Sequence, residues 1–103
     1  MSAGVIGKGL SISGELHGED DLVIEGHVAG TIKISKSLTI GKTGTILADV
    51  ETENVTIQGK MTGNVVAREK IHLQNGGQLE GDMSAPRVEV EDGARYKGKI
   101  TTS

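Results

Sequence analysis

A three-residue unit, glycine then a polar residue then an aliphatic one, returns at nearly constant spacing: Gly14-Glu15-Leu16, Gly30-Thr31-Ile32, Gly63-Asn64-Val65, Gly81-Asp82-Met83 and Gly98-Lys99-Ile100. A sixth copy, Ala48-Asp49-Val50, has alanine in first place. Successive copies are 16, 18, 15, 18 and 17 residues apart, so the six fill the chain. A unit this short cannot bury an apolar face by itself. It has to be covered by its neighbours, which is the logic of a solenoid.

Two further elements keep phase with the first. One is aliphatic, any residue, aliphatic: Leu22-Val23-Ile24, Leu38-Thr39-Ile40, Val55-Thr56-Ile57, Ile71-His72-Leu73 and Val88-Glu89-Val90. The other is a single apolar residue before each triplet: Ile12, Val28, Ile46, Met61, Leu79 and Tyr96. Apolar residues therefore fall at every second position, as in Leu22 and Ile24 or across Val28, Gly30 and Ile32, and alternation predicts short strands with one buried face. Asn75-Gly76-Gly77 and Asp92-Gly93 resemble hairpin turns. The same slot reads Gly41-Lys42-Thr43-Gly44 in one repeat and shrinks at Glu25-Gly26-His27 in another, which suits a corner of variable length better.

The expected fold is all-β: a right-handed parallel β-helix, or solenoid, of about six coils with three short strands per coil. At about 4.8 Å per layer this makes a rod roughly 29 Å tall. Left-handed hexapeptide helices need strict six-residue spacing, which the observed steps break. The apolar residues are almost all Val, Ile and Leu, with one tyrosine and no Phe or Trp, so the interior is expected to be columns of branched aliphatics. With 103 residues one domain is expected, bounded as an N-terminal tail over 1–4, a β-helix domain over 5–100 and a C-terminal tail over 101–103.

The charge balance argues against nucleic acid as a direct partner, since 11 Lys and Arg are interleaved with 14 Asp and Glu. Without cysteine, disulfides and Cys-zinc sites are excluded, in keeping with a reducing compartment. No apolar run of signal-peptide or membrane-spanning length follows Met1–Gly4, and a cytoplasmic location is expected.

The run Ile6-Gly7-Lys8-Gly9, the segment Asp21-Leu22-Val23-Ile24-Glu25-Gly26-His27-Val28-Ala29-Gly30, the segment Gly59-Lys60-Met61-Thr62-Gly63-Asn64-Val65 and the close Gly93-Ala94-Arg95-Tyr96-Lys97-Gly98 resemble the bactofilin domain, from about Gly4 to Ile100. The resemblance implies a bacterial cytoskeletal protein with a right-handed β-helix, polymerising head to head and tail to tail without nucleotide or other cofactor. It also implies partners: copies of itself, with cell-wall enzymes or chromosome-segregation proteins recruited to the filament. A phenylalanine near the end of the family's last coil matters for polymerisation, and Tyr96 occupies the matching place. Family members often carry a membrane-tethering N-terminal stretch. Met1-Ser2-Ala3-Gly4 holds no large apolar or basic residue, so contact with the inner face of the membrane is expected only through partners.

Physical chemistry leads to polymerisation independently. A solenoid without caps exposes an apolar ring and unpaired backbone at each end, and neither end of the pattern reads as capped. The expected polymerisation interface is Ile6, Leu10, Ile12 and Leu16 at one end and Val88, Val90, Tyr96 and Ile100 at the other. The alternative is a discrete β-helix binding module or a trimeric acyltransferase-like enzyme.

Chemical sites are weakly supported by the sequence. His17, His27 and His72 fall in different phases of the repeat and read as surface residues, so no metal site is expected. Gly7-Lys8-Gly9 and Gly41-Lys42-Thr43-Gly44 lack the strand-loop-helix setting of a phosphate loop. Glu19-Asp20-Asp21 lacks the alternate-position ligands of a calcium loop. Glu51, Glu53 and Lys60, and Arg68, Glu69 and Lys70, read as solvated outward rows of mixed sign, with a docking face as the alternative that the sequence does not separate. No catalytic residue is expected.

Overall fold

A computed structural model describes residues 4–19 and 21–102. Their regular structure is all strand: β1 (Gly4–Ile6), β2 (Ser11–Gly18), β3 (Leu22–Ile24), β4 (His27–Ile34), β5 (Ser37–Ile40), β6 (Thr45–Ile57), β7 (Lys60–Thr62), β8 (Val65–Leu73), β9 (Gln78–Glu80), β10 (Met83–Ser84), β11 (Arg87–Val90), β12 (Arg95–Lys97) and β13 (Ile100–Thr101). Every pairing is parallel and joins equivalent residues of successive repeats. Parallel pairing at this separation removes the hairpin reading of Asn75-Gly76 and Asp92-Gly93.

The pairs line up in three columns, one per face. On the first face Ile6, Ile24, Ile40, Ile57, Leu73 and Val90 stack in order. On the second, Ile12, Val28, Ile46, Met61, Leu79 and Tyr96 do so. Leu16, Ile32, Val50, Val65, Met83 and Ile100 form the third. The chain is a parallel β-solenoid with six levels on each face, five turns separating the first level from the last.

Pairing begins at Gly4 and reaches Thr101, one residue beyond each end of the domain expected from sequence. Of the expected tails, residues 1–3 and Ser103 lie outside the described residues.

The inward columns form one core. Ile24, Ile32, Leu38, Ile40, Ile46, Ile57, Ile71 and Leu73 are completely buried, with Met61, Leu79 and Met83 nearly so. Side chains of this size contribute about 1.5–3 kcal/mol each when fully buried. Thr52 is the one buried polar residue among those described, and its hydroxyl donates to the Asn54 carbonyl at 2.7 Å. Beside it the register slips between Thr52 and Asn54: Glu53 alone stands opposite both Arg68 and Glu69, so the extra residue belongs to β8.

The structure corrects one feature of the expected pattern. Gly30 does not continue a buried face between Val28 and Ile32. It is exposed and has φ +122, as do its equivalents with φ between +119 and +134 at Gly14, Gly63, Gly81 and Gly98. The triplet glycine is the corner between the second and third faces, and hydrogen-bonded pairing runs through it, making β2 and β4 longer than the short strands expected. Glycine is required on two counts. Other residues avoid this φ, and a Cβ on Gly30 would overlap the Gly14 carbonyl. Ala48 occupies the same column without a positive φ.

The corner between the first and second faces exists in two lengths. Four coils close it with a turn, seen as hydrogen bonds from Leu10 N to Gly7 O, Gly44 N to Gly41 O, Gly77 N to Gln74 O and Ala94 N to Glu91 O. The short version passes directly through Gly26 and Gly59. These two lengths account for a two-residue difference in repeat spacing, and the passage from the third face back to the first, one residue shorter from Val50 to Ile57 and from Met83 to Val90 than in the other coils, accounts for the rest.

Candidate polymerisation interface

The ends of the solenoid are where a coil lacks a neighbour. Among the described residues β1 and β2 pair only with β3 and β4, on one side. At the other end β11, β12 and β13 pair only with β8, β9 and β10. Each end therefore presents three strand segments whose outer backbone groups are a template for a further strand.

The expected interface residues sort between these ends by coil. Ile12 and Leu16 of the first coil are half-buried against the core and Leu10 is 54% exposed. Ile6 departs from expectation: it is only 6% exposed and already belongs to the core. In the last coil Val88 and Ile100 are half-buried, Val90 is 42% exposed and Tyr96 is 51% exposed. Tyr96 continues the column of Leu79 and Met61, so a residue in an inward position is left largely open where the described residues place a coil on one side alone. Ala94, which the sequence pattern did not single out, also packs against the core at this end.

Contacts to the coil before fix the last coil from outside. His72 Nε2 lies 2.7 Å from Glu91 Oε2, and Lys70 Nζ lies 3.3 Å from Glu89 Oε2. Asn75 N approaches Glu91 Oε1 at 3.4 Å, and Gln58 and Gln74 bridge the two preceding coils through their amides. Such exposed pairs are weak singly. The described part of the first coil, 4–19, carries Lys8 against Glu15 and Glu19. The last, 87–102, carries Arg87, Arg95, Lys97 and Lys99 against Glu89, Glu91 and Asp92.

The other sequence candidates occupy separate parts of the surface. His17, His27 and His72 stand in three different columns, and His17 pairs with Glu15 at 3.3 Å. Among the described residues no group of His, Asp and Glu is arranged to hold a metal ion. Gly41-Lys42-Thr43-Gly44 is a corner turn, with the Thr43 hydroxyl donating to the Glu25 carbonyl at 2.9 Å. Of Glu19-Asp20-Asp21, Asp20 lies outside the described residues, and Asp21 Oδ1 accepts from Ser37 N at 3.1 Å in the coil above. In the outward rows, Glu69 takes a hydrogen bond from Asn54 and Glu51 is exposed. Leu47 and Val66 are exposed apolar residues on the sides, at 59% and 46%. Their only signal in the sequence is an aliphatic residue in the outward phase of the alternation.

No helix among the described residues is long and apolar enough to cross a membrane.

The fold and its open ends agree with what the chain resembles. A family model described as "Bactofilin: Polymer-forming cytoskeletal" matches residues 4–101. Bactofilin BacO of Myxococcus xanthus is 44% identical over 100 residues, covering 97% of this chain and 79% of the relative. Bactofilin BacP of the same organism is 36% identical over 96 residues, covering 93% of this chain but 40% of the longer relative. Among solved structures, a cryo-EM reconstruction of Thermus thermophilus bactofilin double helical filaments superposes with a TM-score of 0.92 at 27% identity, covering 97% of this chain and 99% of the other. The solid-state NMR structure of the cytoskeletal bactofilin BacA gives 0.89 at 28% identity, covering 98% and 96%.

Proposed function

This chain belongs to the bactofilin family of polymer-forming cytoskeletal proteins, and from that premise we propose that it polymerises end to end, without nucleotide, into filaments that act in the cytoplasm as a scaffold. The observation that carries the reading is the contrast along each inward column. Leu79 is 1% exposed where a coil lies on either side, and Tyr96, the next residue in that column, is 51% exposed where one side is open. Covering Tyr96, Val90 and the half-buried Val88 and Ile100 with another copy would remove apolar surface from water and satisfy the unpaired strand edge together. The same holds for Leu10, Ile12 and Leu16 at the opposite end. A rod has two such ends, so joining them generates a filament.

The scaffold role follows from the sides, which remain exposed in an end-joined polymer and carry mixed charge with the isolated apolar residues Leu47 and Val66. Cell-shape, cell-wall and chromosome-organising proteins are the partner classes proposed, with any membrane contact made through them. The test is sedimentation with negative-stain electron microscopy in nucleotide-free buffer, comparing the native chain with Tyr96→Arg. The native chain is expected to pellet as long fibres and the variant to remain small and folded, because an arginine there would be desolvated by the join. A native chain that sediments as a discrete monomer or trimer would reject the filament in favour of a binding module or a trimeric enzyme.

A further inference from the structure

Leaving the first face, each coil places one residue at an equivalent corner: Leu10, Gly26, Gly44, Gly59, Gly77 and Ala94. Hydrogen bonds define the stack, from His27 N to Leu10 O at 2.9 Å, Thr45 N to Gly26 O at 2.9 Å, Lys60 N to Gly44 O at 3.0 Å, Gln78 N to Gly59 O at 2.8 Å and Arg95 N to Gly77 O at 2.9 Å. The four inner coils all have glycine, and the reason is space. A Cβ on Gly26 would lie 2.5 Å from the Leu10 carbonyl oxygen, one on Gly44 2.5 Å from that of Ile24, and one on Gly59 2.5 Å from that of Gly44. A Cβ on Gly77 would meet the Ile57 carbonyl in the same way. At this corner the side-chain direction leads into the coil before. Ala94 is the one residue with a side chain over a stacked coil here, and a methyl group is the largest it carries.

Leu10 holds this position in the first coil. It is 54% exposed and is absent from the apolar side chains packed against the core. Suppose a second copy continued the solenoid beneath it in the register used inside the protein. Its Tyr96 would then lie under Ile12, its Ile100 under Leu16 and its Lys99 beside Glu15, so apolar columns and charges would match. Its Ala94 corner would lie where the Leu10 side chain stands.

We propose that Leu10 is a specificity-determining residue: it bars the C-terminal end of a second copy from stacking in register on the N-terminal end. The proposal rests on the end-joining reading above and adds to it which ends are refused. Discrimination arises from a group that the wrong partner must clash with, not from an added attraction.

The absence of cysteine makes the test clean. Copies carrying Glu15→Cys are mixed with copies carrying Lys99→Cys and treated with a short bis-maleimide, with Asp82→Cys plus Lys99→Cys in one chain as the reference for neighbouring coils in register. With Leu10 in place, the pelleted polymer is expected to give about tenfold less 15-to-99 product than the same mixture carrying Leu10→Gly, a difference of about 1.4 kcal/mol in pairing. Leu10→Ala should give product between the native chain and Leu10→Gly, since Ala94 carries a methyl at this corner while a Cβ at the inner corners would meet a carbonyl. Equal product with and without Leu10, or no rise in either variant, would overturn the role given to Leu10 while leaving polymerisation standing. Absence of any pelletable polymer from the native chain would instead overturn end-joining, and this proposal with it.

Discussion

Ile24, Ile40 and Ile57 are fully buried on the first face, while Val90, at the same position in the last coil, is 42% exposed. On the second face Val28, Ile46, Met61 and Leu79 are at most 2% exposed, whereas Ile12 is half-buried and Tyr96 is 51% exposed. Inner and outer coils share one repeat, so the difference comes from having a coil on one side or on both. Burial in a solenoid is a property of the stack. The two ends are not equivalent either: Ile6 is 6% exposed where Val90, its counterpart, is open, which makes the C-terminal coil the barer of the two.

This contrast can be sharpened by placing one substitution at an inner and an outer coil, measured by urea unfolding in a Tyr96→Arg background so that assembly does not intervene. The largest effect is expected for Gly63→Ala. The residue has φ +128 and a Cβ would overlap the Ala48 carbonyl, so strain and overlap together should cost about 4 kcal/mol. Gly14→Ala has similar strain at φ +119 but nothing within 4 Å, and about 2 kcal/mol is expected. Equal losses at the two positions would break the comparison.

Ile57→Ala should follow at about 3 kcal/mol from lost burial and the cavity left, against less than about 1 kcal/mol for Val90→Ala, where water already reaches the side chain. In the native background the order should reverse for assembly, with Val90→Ala weakening pelleting more per kcal/mol of stability lost. The smallest effect belongs to the pairs that fasten the last coil. Glu91→Gln, which weakens the contact to His72, is expected to cost about 0.5 kcal/mol, and a loss several times larger would show that this coil depends on its outer contacts.

The repeat made most of the fold legible. Inward columns alternate mostly with polar residues, Val23, Leu47 and Val66 excepted, and that signal gave the three faces, the parallel stacking and the residues of the end coils. What stayed hidden has physical causes. Gly30 has no side chain to mark its direction, so alternation assigned it inward when the chain turns there. Ile6 lies in an end coil, and its burial depends on neighbours that pattern cannot supply. Thr52 looks polar in sequence but bonds locally to Asn54 and is buried, and the slip beside it is visible only as a repeat spacing of 15 where the other coil with a short corner has 16. The special place of Leu10 required the stack of corners, because a leucine at a turn means nothing until the residues in line with it prove to be glycine.

Cryo-EM of the nucleotide-free polymer would test axial end-joining most directly, through the rise per chain and the strand direction. Six levels at about 4.8 Å predict a rise of roughly 29 Å per chain, with strands lying across the filament axis. A much smaller rise, or strands running along the axis, would mean that the chains associate through their sides and that the open coils are not the joining surfaces.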